Sequence, residues 1–182
     1  MGIMQPNILV IIAHDLGTHL GCYGETSVLT PALDGLASEG ARFVNHFSTA
    51  PFCSPSRGSI FTGKYPHCNG LMGLVNLGWD LPESNTTLSQ VLDSAGYETF
   101  LFGFQHEVKD PARLKDFFHH VSDRSLSRSC DRVAPLVVDF LDRQGKENAR
   151  PFCTCIGFSE THRPYLRYTP DDPESVIVPP YL

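Results

Sequence analysis

The sequence predicts an α/β fold with a mostly parallel central sheet and helices on both faces. Three observations carry this. Residues 7–13, NILVIIA, form a continuous apolar, β-branched run, the pattern of a strand covered on both sides. Further strand-like runs at 41–47, 97–103 and 151–158 are separated by stretches of helical spacing. Helix start and stop signals bracket several of those stretches.

The elements follow in order. After the first strand, Thr30 and Pro31 open a helix, with threonine as cap and proline at its first position. Leu33, Leu36 and Ala37 give that helix an inner face, and Gly40 ends it. A second strand is expected at 41–47, then a short helix in the segment 51–63. Thr86 or Thr87 caps the next helix, which carries Leu88, Val91, Leu92 and Ala95 and stops at Gly96. A strand at 97–103 follows. Val133, Leu136, Val137, Phe140 and Leu141 then fall at helical spacing, with Pro135 in the first turn or kinking the helix. A strand at 151–158 and a proline-rich loop complete the chain.

The 182 residues suffice for one domain with a sizeable core, and 41% hydrophobic against 19% charged content marks a globular chain. A net charge of −6 excludes the basic footprint of a nucleic-acid binder. It leaves anionic substrates open, because a pocket on an acidic protein can be positive. No stretch approaches a transmembrane span. The N-terminal run lacks a basic leader and a cleavage site, so the expectation is a cytoplasmic location, or export directed by a signal upstream. The six cysteines, Cys22, Cys53, Cys68, Cys130, Cys153 and Cys155, are expected to be mostly reduced and buried. Cys153 and Cys155 alternate in a strand and so share one face. Asn85-Thr86-Thr87 is formally a glycosylation sequon.

The chemistry concentrates in residues 51–63, PFCSPSRGSIFTG. A helix beginning at Pro55 would aim its free N–H groups at whatever sits beside Cys53. Arg57, within a turn, adds a fixed cation with a forked donor set. The segment reads as a sulfur residue in an anion-binding cradle.

C-x-P-S-R followed by T-G, here Cys53, Pro55, Ser56, Arg57, Thr62 and Gly63, resembles the signature of the type I sulfatases, of the alkaline phosphatase superfamily. That resemblance implies a sulfuric ester hydrolase in which Cys53 is converted to formylglycine by a formylglycine-generating enzyme. It extends over nearly the whole chain. His14-Asp15 with the later Gly21-Cys22-Tyr23-Gly24 is similar to the family's aspartate pair. Asp15 matches the second aspartate and His14 replaces the first, so the implied metal ligands are His14, Asp15 and the residue formed from Cys53. The family metal is calcium, but a histidine suits manganese, zinc or iron better. Gly96-Tyr97…Thr99…Gly103-Phe104-Gln105-His106 resembles the second signature. His106 matches its histidine, Phe104 stands in place of a sulfate-binding lysine, and Gln105 is a candidate neutral donor in its stead. His162, after the last strand, resembles a histidine directed at the sulfate and the leaving group. Lys64-Tyr65-Pro66-His67 resembles family framework. Residues 67–74 and 178–180 are most similar to the heparan N-sulfatase (sulfamidase) branch.

The resemblance implies hydrolysis of a sulfate ester or sulfamate, of a sugar above all. Cys53, Arg57, His106 and His162 are the expected catalytic residues, and Arg57, the metal and the histidines would hold the sulfuryl charge. Two alternatives stay open: a phosphodiesterase or phosphonate hydrolase of the same superfamily, and an inactive sulfatase-like binding protein. The segment is expected to be the N-terminal part of a longer catalytic domain, with further metal ligands beyond Leu182 and no turnover by residues 1–182 alone. No sequence feature bears on oligomeric state.

Overall fold

A computed structural model of the chain describes residues 5–122, 129–144 and 150–163. It divides into two units, one of residues 1–14 and 48–159, the other of residues 15–47 and 160–182.

The first unit holds a four-stranded sheet of β1 (Ile8–Ile12), β2 (Glu98–Gly103), β3 (His120–Val121) and β4 (Phe152–Gly157). The order is β1-β4-β2-β3, and every neighbouring pair is parallel. Ile8 lies opposite Cys153, and Cys153 opposite Thr99, which fixes the register across the centre. β4 is buried at all six positions, as a central parallel strand must be.

Helices cover both faces, as expected. On one face Ile8, Val10, Leu101, Cys153 and Cys155 pack with Phe61 of α2 (Cys53–Thr62) in a single core cluster. The short α3 (Pro66–Asn69) and α4 (Leu88–Ser94) lie in the connection that follows. On the other face Phe100, Phe152 and Ile156 meet Val133, Val137 and Phe140 of α5 (Cys130–Gln144). Those three α5 residues belong to the predicted apolar stripe. Of the two expected placements the first turn is not the one found: Pro135 lies inside the helix, where it withholds the N–H that would reach the carbonyl four residues back. α4 begins with a capping box: the Thr87 hydroxyl accepts from the Gln90 N–H, and the Gln90 side chain accepts from the Thr87 N–H.

Several expectations need correction. β1 is covered on one face only. Leu9 and Ile11 are 43% and 59% exposed, because β1 is the sheet's edge among the described residues and α5 packs over β2 and β4 instead. The region 41–47 forms no strand. Phe43, Val44 and Phe47 are exposed there, and a strand without a ladder partner has no backbone pairing to hold it. β3, only two residues long, was not anticipated. Cys153 and Cys155 do share a buried face, but Cys68 is exposed and Cys22, Cys53 and Cys130 are only partly buried; no disulfide joins any of the six. The proline-rich segment after residue 163 lies outside the described residues.

In the second unit, α1 (Pro31–Glu39) starts where expected, with Thr30 at the position before its first residue and proline at its N-terminus. The Thr30 hydroxyl does not cap the helix. It accepts from the Gly21 N–H at 2.8 Å and donates to Asp34 at 3.0 Å, tying the 21–23 turn to α1. Leu33 and Leu36 remain exposed, so the expected inner face is uncovered among the described residues. Among these residues no helix is long and apolar enough to cross a membrane.

Candidate active site

The site grows from the carboxyl ends of the strands, where an open parallel sheet places its ligands. His14 follows β1 and residues 104–107 follow β2. Gly103 makes the turn out of β2. Its φ is +77°, and a Cβ there would lie 2.3 Å from the Gly157 carbonyl oxygen, so only glycine fits.

α2 brings the signature to this edge. It starts at Cys53, two residues earlier than expected, so the cysteine is the first residue of the helix rather than a neighbour of its N-terminus. Pro55 is then third, a position whose N–H has no intrahelical partner anyway. Ser54 is fully buried and its hydroxyl accepts from the Val75 N–H at 3.2 Å. Gly58 lets the helix approach Leu71: a Cβ there would stand 3.0 Å from the leucine methyl. Gly63, in the left-handed conformation, ends α2. The helix is thus pinned at its N-terminus, middle and C-terminus, with Cys53 half-buried at its tip.

The structure brings four of the predicted residues together. The Cys53 sulfur lies 3.1 Å from Nδ1 of His106. His14, 7% exposed, contributes a ring nitrogen to the same cluster; its donor atom and those of Cys53 and His106 all lie within 4.8 Å of one another. Phe104 holds the two imidazoles, with ring centroids 5.0 Å from His14 and 5.4 Å from His106, both edge-on. Arg57 is nearby but 4% exposed. Its Nε donates to Glu107 and its Nη2 donates to the Phe104 carbonyl at 3.1 Å, while its guanidinium lies 5.3 Å from the Phe104 ring centre.

Glu107 is the residue that sequence reasoning missed. It is 6% exposed, and its second carboxylate oxygen accepts from the His106 N–H at 3.0 Å. One carboxylate thus joins the signature arginine to the backbone of the signature histidine. The available signal was an acid directly after His106, opposite in sign to Arg57. Gln105, the candidate neutral donor, is 5% exposed and turned into its own loop. Its amide is spent inside the loop, donating to the Val108 carbonyl and accepting from the N–H groups of Glu107 and Val108.

Asp15 and His162 belong to the second unit, where Nε2 of His162 is 3.8 Å from Oδ2 of Asp15. Asp15 has φ +60°, a left-handed conformation that aspartate tolerates better than most residues. Lys64 is framework: its ammonium donates to Asn85 at 3.2 Å. Asn85 is itself 6% exposed and donates to the Asn69 carbonyl at 2.7 Å, so the sequon amide is occupied within the fold. His67 is exposed and stacks on Tyr65.

The donor set around Cys53 is two imidazoles and a thiol. Calcium takes oxygen ligands, so these residues do not fit it. Imidazole and thiolate suit zinc and its neighbours in the transition series.

These residues lie at the carboxyl edge of the parallel sheet of an α/β protein, and comparison with known proteins gives its family. The chain belongs to the sulfatase family, whose family model matches residues 6–178. Human arylsulfatase D is 38% identical over 154 residues, covering 74% of this chain and 26% of that protein. Human N-sulphoglucosamine sulphohydrolase is 33% identical over 165 residues, covering 86% of this chain and 32% of that protein. Among solved structures, BT4656 in complex with its substrate D-glucosamine-2-N,6-O-disulfate matches with a TM-score of 0.73 at 26% identity, covering 88% of this chain and 35% of that one. The chain spans roughly a quarter to a third of the length of these relatives.

Proposed function

We propose that the whole protein hydrolyses sulfate esters or sulfamates of a sulfated sugar, with a formylglycine formed from Cys53 as its reactive group. The observation that carries this reading is the seat of Cys53. It opens α2 with the signature running behind it and the His106 ring 3.1 Å from its sulfur. The names of a sulphoglucosamine hydrolase and of a glucosamine disulfate complex among the similar proteins support the substrate class.

The formylglycine, once formed and hydrated, supplies an oxygen nucleophile for sulfur and a second hydroxyl that allows sulfate to leave. The rest is done by this chain. We assign His106, with Nδ1 3.1 Å from the Cys53 sulfur, to hold or deliver a proton at position 53. The free N–H groups of the first turn of α2 and its positive dipole end favour negative charge there. Arg57 acts through geometry: bound to Glu107 and to the Phe104 carbonyl, it locks residues 104–107 so that His106 stays beside position 53. From the family pattern we assign Asp15 to metal binding and His162 to the leaving group. Pro55 and Arg57 are buried, so a formylglycine-generating enzyme that reads them acts before α2 has packed.

The test is turnover by the whole protein, co-expressed with that enzyme, of an aryl sulfate and an aryl phosphodiester. The expected result is hydrolysis of the sulfate, reduced at least about a thousandfold by Cys53→Ala and about a hundredfold or more by His106→Ala. Preference for the phosphodiester, or undiminished turnover by Cys53→Ala, would overturn the proposal.

A further inference from the structure

The cluster around Cys53 has a second capacity that does not depend on formylglycine. We propose that the folded protein with Cys53 unconverted binds one thiophilic divalent cation, of the zinc class, through Cys53, His106 and His14.

Three features carry this. The first is the donor chemistry. One thiol and two imidazoles form a set that zinc takes readily, with a solvent oxygen as fourth ligand. The second is spacing. Tetrahedral zinc with bonds of about 2.3 Å to sulfur and about 2.0–2.1 Å to nitrogen needs its ligand atoms roughly 3.3–3.6 Å apart. The sulfur and His106 Nδ1 are 3.1 Å apart, and all three donor atoms lie within 4.8 Å, so side-chain adjustment without backbone movement closes the site. The third is support. Cys53 is fixed on a pinned helix, His106 on a loop tied to Arg57 through Glu107, and His14 directly after β1. Phe104 packs against both imidazoles and brings no charge to oppose a dication.

Binding is balanced by proton release. The Cys53 S–H bond breaks, the sulfur pair forms the metal bond and the proton passes to solvent. The cation would stabilise the folded, unconverted protein by mass action and cap the thiolate against oxidation.

Cobalt(II) titration of the whole protein, made without a formylglycine-generating enzyme, tests this. The expected result is a thiolate-to-cobalt charge-transfer absorption that saturates at one equivalent and is displaced by zinc. Cys53→Ser should abolish it, His106→Ala and His14→Ala should each weaken binding at least about tenfold, and Cys68→Ser, at an exposed thiol, should leave it unchanged. X-ray absorption of the zinc-loaded, unsubstituted protein should find one sulfur and two imidazole neighbours, a readout that needs no variant. Absence of the charge-transfer band, its survival in Cys53→Ser, or an all-oxygen shell would overturn the inference. The outcome is separable from the catalytic proposal. Zinc binding without conversion sinks only the formylglycine reading, and conversion without zinc binding sinks only this one.

Discussion

Replacing Glu107 by glutamine tests the electrostatic centre of the site. The Arg57 and Glu107 side chains are 5% and 7% exposed, so their charges balance each other with little help from water. Glu107→Gln preserves shape but leaves the guanidinium charge buried and uncompensated, which costs about 3–5 kcal/mol. Glutamine also has one oxygen where glutamate has two. Its amide nitrogen must face either the Arg57 Nε–H or the His106 N–H, donor against donor. For a protein of this size or larger, each kcal/mol moves the melting temperature by about 2–4 °C, so the expected drop is roughly 6–20 °C. Thermal unfolding of the whole protein, followed by circular dichroism, measures it. The double substitution Arg57→Met with Glu107→Leu should be less destabilised than Glu107→Gln alone, because an apolar pair carries no desolvation penalty. A Glu107→Gln melt within about 2 °C of the parent would show instead that the arginine charge is balanced elsewhere or is wet.

Three further outcomes follow from the packing. Thr87→Ala removes the α4 capping box and should cost about 1 kcal/mol, read from urea unfolding. Thr154→Val should be neutral or stabilising by about 1 kcal/mol, since the Thr154 hydroxyl is buried in β4 without a hydrogen-bond partner among the described residues and valine has nearly its shape; a loss of stability there would show a hidden partner. In thiol labelling, exposed Cys68 should react first. Cys153 and Cys155 should stay protected until unfolding, because both are buried in the core, and its hydrogen bond to Cys153 together with burial pushes the Cys155 thiol far above the ordinary range; fast labelling of either would contradict their placement in the core.

What the sequence made legible was mostly local or periodic. The Thr87 cap, the Pro31 start of α1, the stripe on α5 and the buried β4 each declare themselves within a few residues. The four residues brought together in the first unit could be listed because they sit in short patterns at strand and helix ends. What depends on neighbours was not legible. The run at 41–47 has strand composition, but pairing decides a strand, and no partner stands beside it among the described residues. β1 has the composition of a strand buried on both faces, yet its position at the sheet edge leaves one face open. Glu107 was missed for a related reason: nothing in a loop glutamate shows that it will be dry until Arg57 is known to lie against it. Arg57 was legible as a fixed cation within a turn of Cys53, but its ties to Glu107 and to the Phe104 carbonyl come from a distant part of the chain and were not.

The most direct test of the central claim is peptide mass spectrometry across Cys53, on the whole protein co-expressed with a formylglycine-generating enzyme. The thiol mass should be replaced by that of an aldehyde at position 53, and Pro55→Ala and Arg57→Ala should reduce the conversion. A thiol that persists at Cys53 in the folded, co-expressed protein would contradict it.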